Sequence, residues 1–245
     1  MALATLLRIL TLNLLHEPDK PTSWPARAPL VEAELLALAP DVVLLQEVAW
    51  PDEQASVLAS ALGRHTGDQY AVWLMEVVVP DRKRPGRLWR EALAILSRCP
   101  ILATEAPATA GAVPVCQHVR LDLGERSVDI YNFHLDPFTP ALHRSQLTTI
   151  LGAIDNHTHP ADVVLGGDFN AHPESAAIRL LAARLRSAYA VVHGREREGT
   201  VDYLFVSPRL RIAAADLTFT QPAERDPTLY PSDHYGLLAE LAWDS

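Results

Sequence analysis

Asp41-Val42-Val43-Leu44-Leu45-Gln46-Glu47-Val48 is the segment that most narrows what this chain can fold into. Four consecutive Val and Leu residues make a strand buried on both faces, which requires cover from above and below. The run then delivers Gln46 and Glu47 to its carboxyl end. The same design recurs along the 245 residues, an apolar run carrying a polar group at or near its end. Strand-like runs are read at Leu6–Leu15, Val42–Leu45, Tyr70–Val79, Leu93–Leu96, Val113–Leu121 and Val128–Phe133. Four more lie at Val163–Leu165, Val201–Val206, Leu210–Phe219 and Gly236–Leu241. Helical spacing is found at Pro29–Leu38, at Pro140–Ile154 and from about Pro173 to Leu185, the first stopping before Pro40. So many strands with so few helices do not fit a doubly wound parallel sheet. Two packed sheets with helices outside fit better.

Composition sets limits on partners. The formal charge is −9, from 21 basic and 30 acidic residues, and Lys20 and Lys83 are the only lysines. Tight, non-specific duplex binding needs many cationic phosphate contacts, so the overall charge argues against it. One dense basic stretch, Arg82-Lys83-Arg84-Pro85-Gly86-Arg87, reads either as a solvated loop or as a polyanion contact. Cys99 and Cys116 provide no disulfide framework or zinc spacing, and buried free thiols are expected. The apolar start carries Arg8 inside the run, with no basic leader and no Ala-x-Ala site. It reads as a first core strand, and the expected compartment is cytoplasmic.

The polar residues come in a fixed order. Asn13 ends the first run; alone it would be a turn former. Glu47 at a strand end either caps a helix or binds a hard cation. His134 follows Asp129-Ile130-Tyr131-Asn132-Phe133, and a lone histidine there is more often structural. In Gly166-Gly167-Asp168-Phe169-Asn170 the glycines permit a tight turn and close approach to a ligand. Asp168 and Asn170 alternate past Phe169 and can share a face. Asp202, in Val-Asp-Tyr-Leu-Phe, is costly among apolar residues unless paired. Ser232-Asp233-His234 supplies a partner, since an Asp–His pair fixes an imidazole's tautomer and raises its proton affinity.

Taken together, Asn, Leu-Gln-Glu, His-Leu, Gly-Asp-Phe-Asn, Asp-Tyr and Ser-Asp-His resemble the endonuclease/exonuclease/phosphatase superfamily. That group includes deoxyribonuclease I, abasic-site endonucleases, neutral sphingomyelinases, deadenylases and inositol polyphosphate 5-phosphatases. The match runs from Leu6 to Leu241. It implies an α/β (α+β) fold, a four-layer sandwich of two packed mixed sheets flanked by helices, with residues 1–245 as one domain. By the same resemblance Glu47 is the direct Mg²⁺ ligand with Asn13 beside it, and Asp233 is an acidic neighbour of the metal. Asp168 positions the attacking water, Asn170 holds a phosphate oxygen, Asp202 orients His234, and His134 contacts phosphate. Trp89-Arg90-Glu91-Ala92-Leu93-Ala94-Ile95-Leu96-Ser97-Arg98 resembles the segment of deoxyribonuclease I whose glutamate pairs with that second histidine. Many relatives carry Gly and Asn there, so Glu91 departs from them.

The implied activity is hydrolysis of a phosphodiester or phosphomonoester by a positioned water, with Mg²⁺ as cofactor and Mn²⁺ as a substitute. No Cys or Ser sits where a covalent intermediate would form. The expected substrate is a small phosphate ester or a nucleic-acid end, met by a monomer without a membrane. A nuclease using Arg82, Lys83, Arg84, Arg87 and Arg90 is the alternative. A non-catalytic binding module on the same fold is disfavoured, because the acids and histidines are all present.

Overall fold

A computed structural model describes residues 6–17, 19–20, 23–51, 53–80, 84, 86–111, 113, 115–155 and 162–243. The strands are β1 (Leu7–Asn13), β2 (Val42–Ala49), β3 (Ala71–Pro80), β4 (Leu88–Ser97), β5 (Ile101–Glu105) and β6 (Cys116–Asp122). They continue with β7 (Ser127–His134), β8 (Asp162–Asp168), β9 (Arg186–Ser187), β10 (Asp202–Val206), β11 (Leu210–Thr218) and β12 (Gly236–Trp243). The helices are α1 (Ser23–Leu38), α2 (Gln54–Thr66), α3 (Pro140–Asp155), α4 (Ala176–Ala182) and α5 (Ala188–His193).

Two six-stranded sheets result, in the orders β11-β12-β1-β2-β4-β3 and β5-β6-β7-β8-β10-β9. Each is mixed, with one parallel pair at its centre: β1 with β2, and β7 with β8. Ile9, Leu44, Ile95, Ile130, Val164 and Leu204 fill the space between the sheets. Val31, Leu35, Leu58 and Leu62 pack α1 and α2 onto the first sheet. Leu147, Ile150, Ile178 and Leu181 pack α3 and α4 onto the second. This is the four-layer sandwich, and all ten expected strands are present.

Several boundaries differ from the sequence reading. α1 begins at Ser23 and passes through Pro29, which had been read as its start. Arg27, Val31 and Leu35 are buried at spacings of four, so the anchored stripe extends a turn before the proline and offsets its cost. α4 is shorter than expected, because Ser175 rather than Pro173 caps it by accepting from the Ile178 N–H. Cys116 is buried and Cys99 half-buried, both free, and burial pushes both thiols up. Among the described residues, no helix is long and apolar enough to cross a membrane.

The two glycines before Asp168 play a different part from the expected one. They lie within β8 rather than in a turn against a ligand. Gly167 has φ +135°, and a Cβ there would stand 2.1 Å from the Phe133 carbonyl oxygen on the neighbouring strand. Gly166 would meet Leu204 and Leu44, from its own sheet and the opposite one. They let the strands and sheets close up behind Asp168.

Candidate active site

The carboxyl ends of the central strands converge on one edge of the sandwich. β2 reaches that edge through a break in register between Leu45 and Val48, against β4. Glu47 sits in this bulge with φ 51°, a left-handed conformation that costs of order 1–3 kcal/mol for a residue with a Cβ. The strand therefore does not end at Leu45 as read, but runs on to Ala49. The bulge re-aims Glu47 while Gln46 turns inward. Gln46 donates to Asn132 Oδ1 at 2.7 Å, and Asn132 donates to Gln117 Oε1 and to the Leu45 and Ala94 carbonyls. This buried amide network ties the sheets together directly beneath the site.

Asn13 closes β1, and its Oδ1 accepts from the Leu15 N–H at 2.9 Å. Its Nδ2 donates to Glu47 Oε1 at 3.0 Å and to Asp168 Oδ2 at 3.2 Å. One amide thus spaces two carboxylates. The other Glu47 oxygen accepts from the His16 N–H at 3.0 Å. Asp168 Oδ1 accepts from the Asn170 N–H at 2.8 Å, closing a turn that holds Asn170 at φ 47°. Asn170 Nδ2 donates to the Leu135 carbonyl at 2.9 Å, which leaves its second amide hydrogen free for another acceptor.

Two histidines approach the same Asp168 oxygen, each backed by a carboxylate. His234 Nδ1 donates to Asp202 Oδ2 at 2.8 Å, and its Nε2 lies 3.9 Å from Asp168 Oδ2. His134 Nδ1 lies 3.5 Å from Glu91 Oε1, and its Nε2 is 3.8 Å from Asp168 Oδ2 and 3.9 Å from Glu47 Oε1. Burial opposes charge on both rings. It is outweighed for His134 by Glu91, Asp168 and Glu47, which lift it to about 10. Asp202 likewise lifts His234 to about 9. Burial and the Asp168 charge raise Asp202 in turn, while its hydrogen bond to His234 opposes them. Burial, with Glu91 adding, also raises Glu47, against His134 and Asn13.

Asp233 borders the same cavity as Asp202 and His234, and its charge favours protonation of His234. It is exposed, its Oδ1 accepting from Ser232 Oγ at 3.4 Å, and it belongs to neither carboxylate–histidine cluster. Two further residues were missed by the sequence reading. His16 Nδ1 is 4.0 Å from Glu91 Oε2, so Glu91 lies between two imidazoles. Arg27 is buried and donates to the Leu14, Leu15 and Pro231 carbonyls at 2.7, 2.7 and 2.8 Å. It ties the turn after Asn13 to the loop bearing His234, and Ser232 Oγ adds a 2.7 Å bond to the Asn13 carbonyl. A charged residue extending the apolar stripe of α1 was the available signal.

The donor chemistry suits a hard divalent cation. Glu47, His134 and Asp168 each offer a ligand atom within 4.8 Å of the others, as do Asp168, Asp202 and His234. The carboxylate oxygens suit a hard cation, and one imidazole in each set is a ligand that borderline metals also accept.

A family model described as the Endonuclease/Exonuclease/phosphatase family matches residues 10–234. The chain belongs to this family. Among solved structures, the human Nocturnin catalytic domain with bound sulfate anion is similar at TM-score 0.76 and 21% identity, covering 98% of this chain and 94% of that one. An endonuclease/exonuclease/phosphatase from Beutenbergia cavernae gives 0.73 and 20%, with 98% and 72% covered. Humanized D. rerio TDP2 with 14 mutations gives 0.69 and 17%, with 96% and 98% covered. No curated protein matches the sequence. These likenesses share the fold. In this member of the endonuclease/exonuclease/phosphatase family, the matched span includes every residue of both carboxylate–histidine clusters.

Proposed function

We propose that the chain is a Mg²⁺-dependent phosphoesterase that hydrolyses a phosphodiester or phosphomonoester through a positioned water. The observation that carries this reading is the pair of carboxylate-backed imidazoles whose Nε2 atoms face one aspartate oxygen at 3.8 and 3.9 Å. Glu47 and Asp168 would hold the cation, with Asn13 keeping them apart and Asp233 outside the immediate set. Bound there, a divalent cation offsets charge on a phosphoryl oxygen. Asp168, fixed at Oδ1 by the Asn170 N–H, orients the attacking water. The free amide hydrogen of Asn170 and the imidazolium forms of His134 and His234 donate to oxygens that gain charge in the transition state. Asp202 and Glu91 hold those rings in place. The sulfate in the Nocturnin domain shows a similar fold accepting a tetrahedral oxyanion.

A small ester is favoured over a polynucleotide. Arg84 and Arg87 both engage Asp19, at 2.9 and 3.0 Å, and Arg90 engages Glu76 at 3.1 Å. Arg82 and Lys83 lie outside the described residues. The basic stretch is thus partly neutralised where it is seen. The test is a substrate panel with Mg²⁺ or Mn²⁺: bis-p-nitrophenyl phosphate, inositol phosphates, plasmid DNA and single-stranded RNA. Turnover of bis-p-nitrophenyl phosphate that EDTA abolishes is expected; undiminished turnover by metal-stripped protein would reject the reading.

A further inference from the structure

Beside His234 opens a cavity of about 790 Å³, large enough for a nucleotide-sized group and bordered by His234, Tyr235 and the carboxylates Glu17, Asp202 and Asp233. Three cationic side chains line it: Lys20, Arg27 and Arg197. Two of them are committed elsewhere. Lys20 is bound to Glu17, and the Arg27 guanidinium is spent on three carbonyls and Ser23 Oγ. Arg197 differs. Its guanidinium lies 4.8 Å from the centre of the Tyr235 ring, and among the described residues it has no carboxylate or hydrogen-bond partner. Contact with the ring face leaves the N–H edges of a guanidinium free for a planar or tetrahedral anion.

We infer that Arg197, held by Tyr235, is a specificity residue that receives a second phosphate of the substrate, next to the one being hydrolysed. This rests on the phosphoesterase reading and sharpens it. Tyr235 directly follows His234, and both border the same cavity as Arg197, which puts the receptor beside the histidine proposed for the scissile phosphate. A carboxylate-rich centre repels an anionic substrate, and an unpaired arginine at its edge offsets this most for a substrate whose second phosphate reaches it. The contact is the same in ground and transition states, so it acts on KM rather than kcat.

The probes are the 4-nitrophenyl ester of a nucleoside 5′-phosphate and the same compound with an added 3′-phosphate. Wild-type protein should show the lower KM for the second, and Arg197→Gln should shrink the KM ratio about tenfold, the loss of one charge-assisted contact. Arg197→Lys and Tyr235→Leu should fall between, since one keeps the charge and the other the fork. In parallel, binding of the nucleoside 5′-monophosphate and 3′,5′-bisphosphate is measured by calorimetry with metal chelated. A bisphosphate preference that Arg197→Gln removes, without hydrolysis of either ester, upholds the receptor and rejects the phosphoesterase reading. A KM or affinity ratio unchanged in Arg197→Gln overturns the inference.

Discussion

Strand β7 carries buried charge at both ends, and the two ends are built on opposite principles. Near its start, Asp129 accepts from Arg120 Nε and Nη2 at 2.9 and 2.8 Å and meets His118 Nε2 at 2.9 Å. Burial opposes ionisation, yet the bonds from His118 and Arg120 pull the carboxyl down to about 2. At its far end, His134 faces Glu47, Glu91 and Asp168, and there Glu47 is raised rather than lowered. The first group is matched charge for charge and serves the fold. The second leaves an excess of negative charge in place, which the fold tolerates because a cation and a phosphate can complete it.

Replacing Glu47 tests this contrast most severely. Glu47→Gln should bring turnover to background while leaving Tm unchanged or higher, because it relieves a half-buried carboxylate that faces Glu91. Lost activity with a lowered Tm would break the contrast. Next in size, Asp202→Asn and His234→Ala should each reduce kcat by roughly 10²–10⁴. Their double variant should cost little more than either alone, since one orients the other; multiplicative losses would separate them. Glu91→Gln should have a smaller effect, about tenfold on kcat, because the His134 ring loses its backing but not its place. At the matched end, Asp129→Asn should leave kcat alone and cost about 2 kcal/mol of stability at pH 7. Because its folded pKa is depressed, Asp129 stabilises above its unfolded value near 4 and ceases to as pH falls towards 2. Wild-type Tm should therefore drop more steeply than that of Asp129→Asn across that window.

The site end of this contrast was legible in the sequence, the pairing of Asp129 with His118 and Arg120 was not, and the gaps have physical causes. The apolar runs before Glu47 and Asp168 announced central strands, since doubly covered strands are so uniformly apolar, and β-branched and aromatic residues marked the one before His134. β5 escaped notice because, from Leu102 to Glu105, it is exposed at a sheet edge, and β9 because it spans only Arg186–Ser187. α2 was missed although Leu58 and Leu62 face the core, because alanines make up much of its buried face. The bulge at Glu47, the spacing amide of Asn13 and the carbonyl ties of Arg27 are tertiary features. Each depends on a partner distant in sequence, which no local pattern displays.

One of those ties has a consequence for how the protein is made. Arg27 bonds a carbonyl 204 residues further along the chain, and β1 has β12 as one of its two neighbours in the first sheet. During synthesis β1 emerges before β2 and pairs with it, but its other edge stays open until β12 arrives. The Ser-Asp-His segment arrives with that last strand. A nascent chain therefore carries Glu47, His134 and Asp168 without His234, and has no complete site while its sheet is unfinished. The open edge of β1 is then a template for wrong pairing that a chaperone would have to cover, and ribosome-bound chains halted before Pro231 should be inert.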